Sequence, residues 1–234
     1  MTIGFLRGIR IGSRDPIPEP VLRTLVGHLS SCTRPTNRTL AGRALPDFLD
    51  LPIWGPAVVK HYLRGGWIRL LNHRSYLRTR YSRSRAEYEM LASLHAQGLD
   101  VPRPLAWAES GRIWIQAWLI MEERQGVQSL VDLARSQGPR ARALMPAVSQ
   151  AVRRLIELHV HHPDLHPGNI LIDAADRACL IDFDKARKLS CSSARLAALY
   201  WKRWHRAVAK YQLPPWLAEE LDLRSVSTKT LAGD

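Results

Sequence analysis

The sequence predicts an α+β chain in two lobes, a small β-rich lobe followed by a short, mostly helical one. Two observations carry this. Strand-like runs with one helix fill the first half, and helical periodicity dominates the second, broken by one small hairpin. The chain has 234 residues, 46% of them hydrophobic, enough for a two-lobed domain or two small ones with a sizeable core.

Residues 1–38 are rich in Arg, Pro and Ser and weakly periodic, so they read as an N-terminal extension or a loosely attached helix over Pro20–His28. Ala57-Val58-Val59-Lys60-His61-Tyr62 follows Gly55-Pro56 and predicts a strand. Ser84–Gln97 sets Tyr88, Leu91, Leu94 and His95 at helical spacing, and Gly98 supplies a stop. Leu105–Trp107 and Ile113–Met121 flank Ser110-Gly111 as a hairpin. Helices are expected over Ser129–Ser136 and Ala141–Val160, the latter with Val148, Val152, Leu155, Ile156 and His159 on one face. Ile170–Asp173 and Ala178–Asp182 read as short strands around Ala174–Arg177. Ala194–Gln212 forms a last helix with Leu196, Tyr200, Trp204 and Val208 in one stripe. The lobes join near Glu122-Glu123, giving an extension 1–38, a first lobe 39–121 and a second lobe 122–234.

A formal net charge of +13 and a pI of about 10.4 favour polyanionic partners. Cys32, Cys179 and Cys191 show no CxxC spacing, which argues against a disulfide framework and a zinc site and suits a reducing cytosol. The first residues lack the apolar core of a secretory signal, being broken by Arg7 and Arg10. The most apolar window, Ile113–Met121, falls short of the ~20 residues a membrane-spanning helix needs.

The chemistry concentrates in His162-Pro163-Asp164-Leu165-His166-Pro167-Gly168-Asn169, an apolar strand, and then Leu180-Ile181-Asp182-Phe183-Asp184. Phosphoryl transfer needs a carboxylate that orients the attacking hydroxyl and accepts its proton. It also needs oxygen ligands for the divalent metal that bridges the phosphates. Asp164 and Asn169 stand five positions apart in a loop that opens a strand, and Asp182 ends the next strand 13 residues on. A tight hairpin returns that strand end to the loop. Any one of these residues alone would pass for a turn former or a surface group. Together, HxDLxxxN, strand, hairpin, strand and DFD describe a kinase-type site. That pattern asks for a strand lysine at the nucleotide phosphates and a helix glutamate to hold it. Lys60 fits the first role and Glu87 the second, with Glu89 as the fallback about 160° further round the helix. His159, His161, His162 and His166 lack a cysteine partner and HExxH spacing, so zinc is not expected.

The HPDLHPGNILI and LIDFD runs resemble the protein-kinase-like superfamily, which includes aminoglycoside and choline phosphotransferases. Finer features resemble bacterial lipopolysaccharide kinases, the Kdo and heptose kinases. These are Lys60-His61-Tyr62-Leu63-Arg64-Gly65-Gly66, Arg85–Leu91, Val101-Pro102-Arg103-Pro104 and the Lys185-Ala186-Arg187 that follows DFD, within a similarity over roughly residues 40–210. The resemblance implies a two-lobed protein-kinase-like fold, ATP and Mg2+. It also implies a sugar hydroxyl of the lipopolysaccharide inner core as acceptor, and work at the inner face of the cytoplasmic membrane of a Gram-negative bacterium. Residue by residue it implies Asp164 as base, Asn169 and Asp182 as metal ligands, Lys60 on phosphate and Glu87 positioning Lys60. Glu122 and Glu123 fall at the adenine hinge, where contacts come from backbone. The chain departs from the family at the phosphate-covering turn, where Gly42-Arg43-Ala44 stands in place of Gly-Arg-Gly. Close backbone approach to phosphates favours glycine, so this clamp is expected to be weaker or built differently.

Arg64, Arg69, Arg74, Arg78 and Arg80 stand in a stretch with no acidic residue and with Trp67, Tyr76 and Tyr81 interleaved. This suits an anionic membrane surface or a phosphorylated lipid; no nucleic-acid module is recognisable, and no nucleic acid is expected. The competing readings are a small-molecule or protein phosphotransferase and a pseudokinase that binds anionic lipid. About fifty residues after Asp184 leave little for a large helical acceptor pocket, and no Ala-Pro-Glu follows Asp182.

Overall fold

The structure, a computed structural model, describes residues 2–32, 39–40, 43–44, 46–62, 76–77, 82–111 and 114–224. The chain divides into two compact units, one of Met1–Ser93 with Pro102–Arg124 and one of Leu94–Val101 with Gln125–Asp234. Helices and antiparallel sheets combine in the α+β class expected.

In the first unit, β1 (Thr2–Leu6), β2 (Ile9–Ser13), β5 (Asp47–Leu51), β6 (Gly55–His61), β8 (Pro104–Ser110) and β9 (Trp114–Glu122) form one antiparallel sheet in the order β1-β2-β8-β9-β6-β5. The short β7 (Tyr76–Leu77) also pairs with β9, and β3 (Thr39–Leu40) pairs with β4 (Arg43–Ala44). Alternation sends Ile9 and Ile11 of β2 and Ala57 and Val59 of β6 into the core. Helix α1 (Glu19–Cys32) lays Val21, Leu25, Val26 and Leu29 on the same cluster, the spacing of one helical face.

Residues 2–32 are therefore not an extension. They supply two strands and a core helix, and Ser13 Oγ donates to the Leu105 carbonyl at 2.7 Å. The strands escape detection because Arg7 and Arg10 break short apolar runs that only pairing across the sheet explains. Gly12 faces Trp107 in that pairing, and a Cβ there would fall 2.4 Å from the buried indole, so only glycine fits.

Helix α2 (Arg83–Ala96) buries Tyr88, Leu91 and Leu94 and ends where Gly98 turns to φ +74°. In the second unit, α3 (Leu130–Ser136) is capped by Ser129, whose Oγ accepts from Asp132 N. One helix was expected over Ala141–Val160; the structure has two, α4 (Gly138–Ala143) and α5 (Met145–Glu157). Pro146 explains the break, since its ring and missing N–H are tolerated only in a first turn. Val148, Val152, Leu155 and Ile156 are buried as expected, but His159 lies beyond the helix at φ +53°, exposed.

Strand β10 (Gln128–Ser129) joins a sheet with β12 (Ile170–Ile172) and β13 (Ala178–Leu180), and β11 (Val160–His161) pairs with β14 (Arg187–Lys188). The turn between β12 and β13 is locked by Asp173, whose Oδ1 accepts from the amides of Ala175 and Arg177. The Arg177 amide and then its guanidinium hold the Asp173 carboxyl below the usual carboxylate range. Helix α6 (Ser193–Lys210) buries the predicted stripe Leu196, Tyr200, Trp204 and Val208, and Trp204 Nε1 donates to Leu217 O in α7 (Trp216–Glu219). No helix among the described residues is long and apolar enough to cross a membrane.

Candidate active site

In the first unit, Lys60 leaves β6 and Glu87 leaves the first turns of α2. Lys60 Nζ stands 2.9 Å from Glu87 Oε2 and 3.0 Å from Oε1. The Glu87 side chain is only 1% exposed, so this is a desolvated ion pair that removing either partner would leave badly unbalanced. Tyr62 hydroxyl also donates to Glu87, and the Lys60 ammonium lies 5.3 Å from the Tyr62 ring centroid. Tyr62 was missed from sequence, though two-residue alternation from Lys60 points to it. Glu89 instead pairs with Arg85 at 2.9 Å one turn back along α2, so Glu87 is the lysine partner. Glu122 ends β9 and Glu123 follows it, and their amides already donate to Arg103 O and Pro56 O. The Glu122 carboxylate is 3.4 Å from Arg103. Gly42 and Arg64, Arg69, Arg74, Arg78 and Arg80 lie outside the described residues.

In the second unit the loop 162–169 is tied down from three directions. From α6, the buried Tyr200 hydroxyl donates to Val160 O at 2.7 Å and accepts from His162 N at 2.9 Å. Burial pushes the Tyr200 phenol well above its usual range, so it stays protonated and keeps both bonds. From the hairpin, His162 Nε2 meets Ile181 O at 2.9 Å, and its ring packs on Phe183 with centroids 4.7 Å apart. Ile181 N donates to Asn169 O at 3.1 Å. Within the loop, Asn169 Nδ2 donates to Asp164 O at 3.0 Å, and His166 Nδ1 accepts from Gly168 N at 3.0 Å. A Cβ on Gly168 would come within 2.9 Å of that imidazole.

The structure thus brings Asp164, Asn169 and the strand end before Asp182 onto one hydrogen-bonded scaffold. Asp182 itself sits at φ +65°, a left-handed conformation that few residues other than Gly, Asn and Asp adopt cheaply. Its strand is shorter than expected, ending at Leu180, so Asp182 belongs to the turn that follows. His166 is held below the ordinary histidine range, first by burial and then by the nearby Arg203 guanidinium, against the opposing pull of Asp164 and Asp182. A neutral imidazole is what the Gly168 bond requires.

Two cations flank Asp164 that sequence reading did not place there. Lys185 Nζ is 3.0 Å from Oδ2, and Arg203 Nη2 of α6 is 3.9 Å from Oδ1 while its Nε donates to Pro163 O at 3.0 Å. The β11–β14 pairing closes the loop that carries Lys185 back to Asp164. Chemically, the set offers a carboxylate for a proton, hard oxygen donors for a divalent cation, and cations for an anion. Among the described residues no group of three or more His, Cys, Asp or Glu is placed to hold a metal.

A loop of this construction, following a strand Lys–helix Glu pair in an α+β chain, defines a protein-kinase-like phosphotransferase. The chain belongs to the lipopolysaccharide kinase (Kdo/WaaP) family, whose match runs over residues 43–214. A relative in Xanthomonas oryzae pv. oryzae (strain PXO99A), 3-deoxy-D-manno-octulosonic acid kinase, is 35% identical over 181 residues, 76% of this chain and 70% of its own. Proteins of the same name in Stenotrophomonas maltophilia (strain R551-3) and Photobacterium profundum are 35% and 32% identical, covering 68% and 67% of this chain and 63% and 66% of theirs. As a member of this family the protein is an ATP-dependent kinase that phosphorylates a sugar hydroxyl.

Proposed function

We propose that the chain transfers the γ-phosphoryl group of ATP to a hydroxyl of 3-deoxy-D-manno-octulosonic acid in the inner core of lipopolysaccharide. The observation that carries this is the hydrogen-bonded union of the 162–169 loop with Ile181, the residue before Asp182. Asp164 is the base. It takes the proton of the acceptor hydroxyl as that oxygen bonds to the γ-phosphorus. The bond from phosphorus to the β–γ bridging oxygen breaks, and ADP leaves.

Asn169 and Asp182 are the ligands for Mg2+. Both offer hard oxygen donors, and the Asn169 amide nitrogen is already committed to Asp164 O, which leaves its Oδ1 for a cation. The ion supplies charge neutralisation on the phosphates when bound. Lys60, aligned by Glu87 and Tyr62, binds phosphate. Contacts of Glu122 and Glu123 to adenine fall to their carbonyls, because both amides donate within the sheet. A peripheral position on the inner face of the cytoplasmic membrane is supported by the basic run from Arg64 to Arg80, which suits an anionic surface.

The test is incubation of the purified protein with ATP, Mg2+ and lipid A carrying the sugar acid, read by mass spectrometry. One added phosphate is expected, and Asp164→Ala should lose turnover while keeping its nucleotide affinity. An unmodified acceptor, or full turnover in the variant, refutes the assignment.

A further inference from the structure

The carboxylate of Asp164 has a feature that general base catalysis does not require. Lys185 stands 3.0 Å from one oxygen and Arg203 stands 3.9 Å from the other. Both positive charges lie against the carboxylate that the acceptor hydroxyl has to approach.

Neither cation is fully used by its present partners. Arg203 spends its Nε on Pro163 O, and its 3.9 Å approach to Asp164 is an ion pair rather than a hydrogen bond. A guanidinium carries five N–H donors in a planar fork matched to a carboxylate. The Arg203 side chain is 23% exposed and that of Lys185 is 65% exposed. Arg203 rises from α6, which contains no acidic residue.

We propose that Lys185 and Arg203 form an anion subsite that takes the carboxylate of the acceptor sugar acid. The subsite rests on the reading above that the acceptor is such an acid. An acceptor bound this way has its hydroxyl against Asp164 and its carboxylate on the cations. The incoming anion takes over the pairing of Lys185 and Arg203, which leaves the Asp164 oxygens open to the hydroxyl. The enzyme therefore selects sugar acids over neutral sugars both in binding and in the transfer step. Arg203 is the more specific element, because its fork reads a planar oxyanion and Lys185 supplies a mobile point charge.

The experiment compares two acceptors, lipid A carrying the free sugar acid and the same molecule as its methyl ester. Wild type, Lys185→Met and Arg203→Gln are assayed with both, with ATP saturating and then varied. Wild type is expected to prefer the acid. Each variant should lose about 10- to 100-fold in kcat/KM for the acid, the scale of one charged hydrogen bond. Each should leave the ester nearly unaffected and the KM for ATP unchanged, so that the preference collapses. Arg203→Lys should restore part of the loss. Equal losses on both acceptors, or a raised KM for ATP, would assign the cations to the transferred phosphoryl group or to loop bracing and overturn the proposal. An unchanged preference in both variants overturns it as well. Wild type that phosphorylates neither acceptor overturns the reading of the acceptor itself, a different result from the collapse of preference.

Discussion

Replacing Lys60 by Met tests what holds the Lys60–Glu87 pair in the first unit. The methionine keeps an apolar stem of similar length and removes the ammonium. Glu87, 2% exposed, then loses a cation that now sits 2.9 Å and 3.0 Å from its two oxygens. Breaking a buried pair from one side costs about 3–5 kcal/mol. Lys60 is 25% exposed, so water recovers part of this and a loss of about 3 kcal/mol is expected. At roughly 2–4 °C per kcal/mol for a chain of this size, Tm should fall by roughly 10 °C. The loss should shrink toward acidic pH, where a buried carboxylate without its cation can take up a proton. Lys60→Met/Glu87→Gln should recover most of the stability, because the neutral amide needs no counterion, while nucleotide binding stays impaired. Thermal unfolding followed by circular dichroism at several pH values measures this. A single variant within about 1 kcal/mol of wild type, or a double variant no more stable than the single, refutes the reasoning.

Three further outcomes are expected. Tyr200→Phe strips the acceptor from a buried His162 amide and should cost about 1–3 kcal/mol, with faster hydrogen exchange at that amide; unchanged exchange would mean that α6 does not brace the loop. His166 binds its proton less readily in the folded chain than at its ordinary value of 6.5. Its contribution to stability is thus complete above that pH and is lost as pH falls through the lowered value. Urea titrations should show His166→Gln flattening this acid limb, and an unaltered limb would contradict the neutral imidazole. Asp182→Asn should abolish the Mg2+ dependence of ATP binding in calorimetry, and a retained dependence would remove Asp182 from the metal site.

The hydrogen-bonded link of Asp164, Asn169 and the hairpin end at Ile181 was legible because its parts are close in sequence and joined by a hairpin whose turn chemistry is local. Lys60 and Glu87 followed from the strand and helix that carry them, and periodicity even separated Glu87 from Glu89. What escaped were contacts made by distant chain. Nothing near Ile9–Ser13 announces that β8 pairs with it, so a core segment looked like an appendage. Tyr200 read as one more buried residue of an apolar stripe, and only its hydroxyl's two bonds reveal it as a brace for the loop 38 positions upstream. The α4–α5 break was readable from Pro146 and was overridden by the strength of the surrounding periodicity.

The mirror-image backbone at Asp182 makes charge and shape separable by mutation. Asparagine fits that conformation about as well as aspartate, so Asp182→Asn changes the ligand and leaves the turn intact. Alanine would remove the carboxylate and penalise the backbone at once, and glycine would do the reverse on the second count. A panel of these three, scored for stability and for cation affinity, apportions the cost of holding a carboxylate there between conformation and electrostatics.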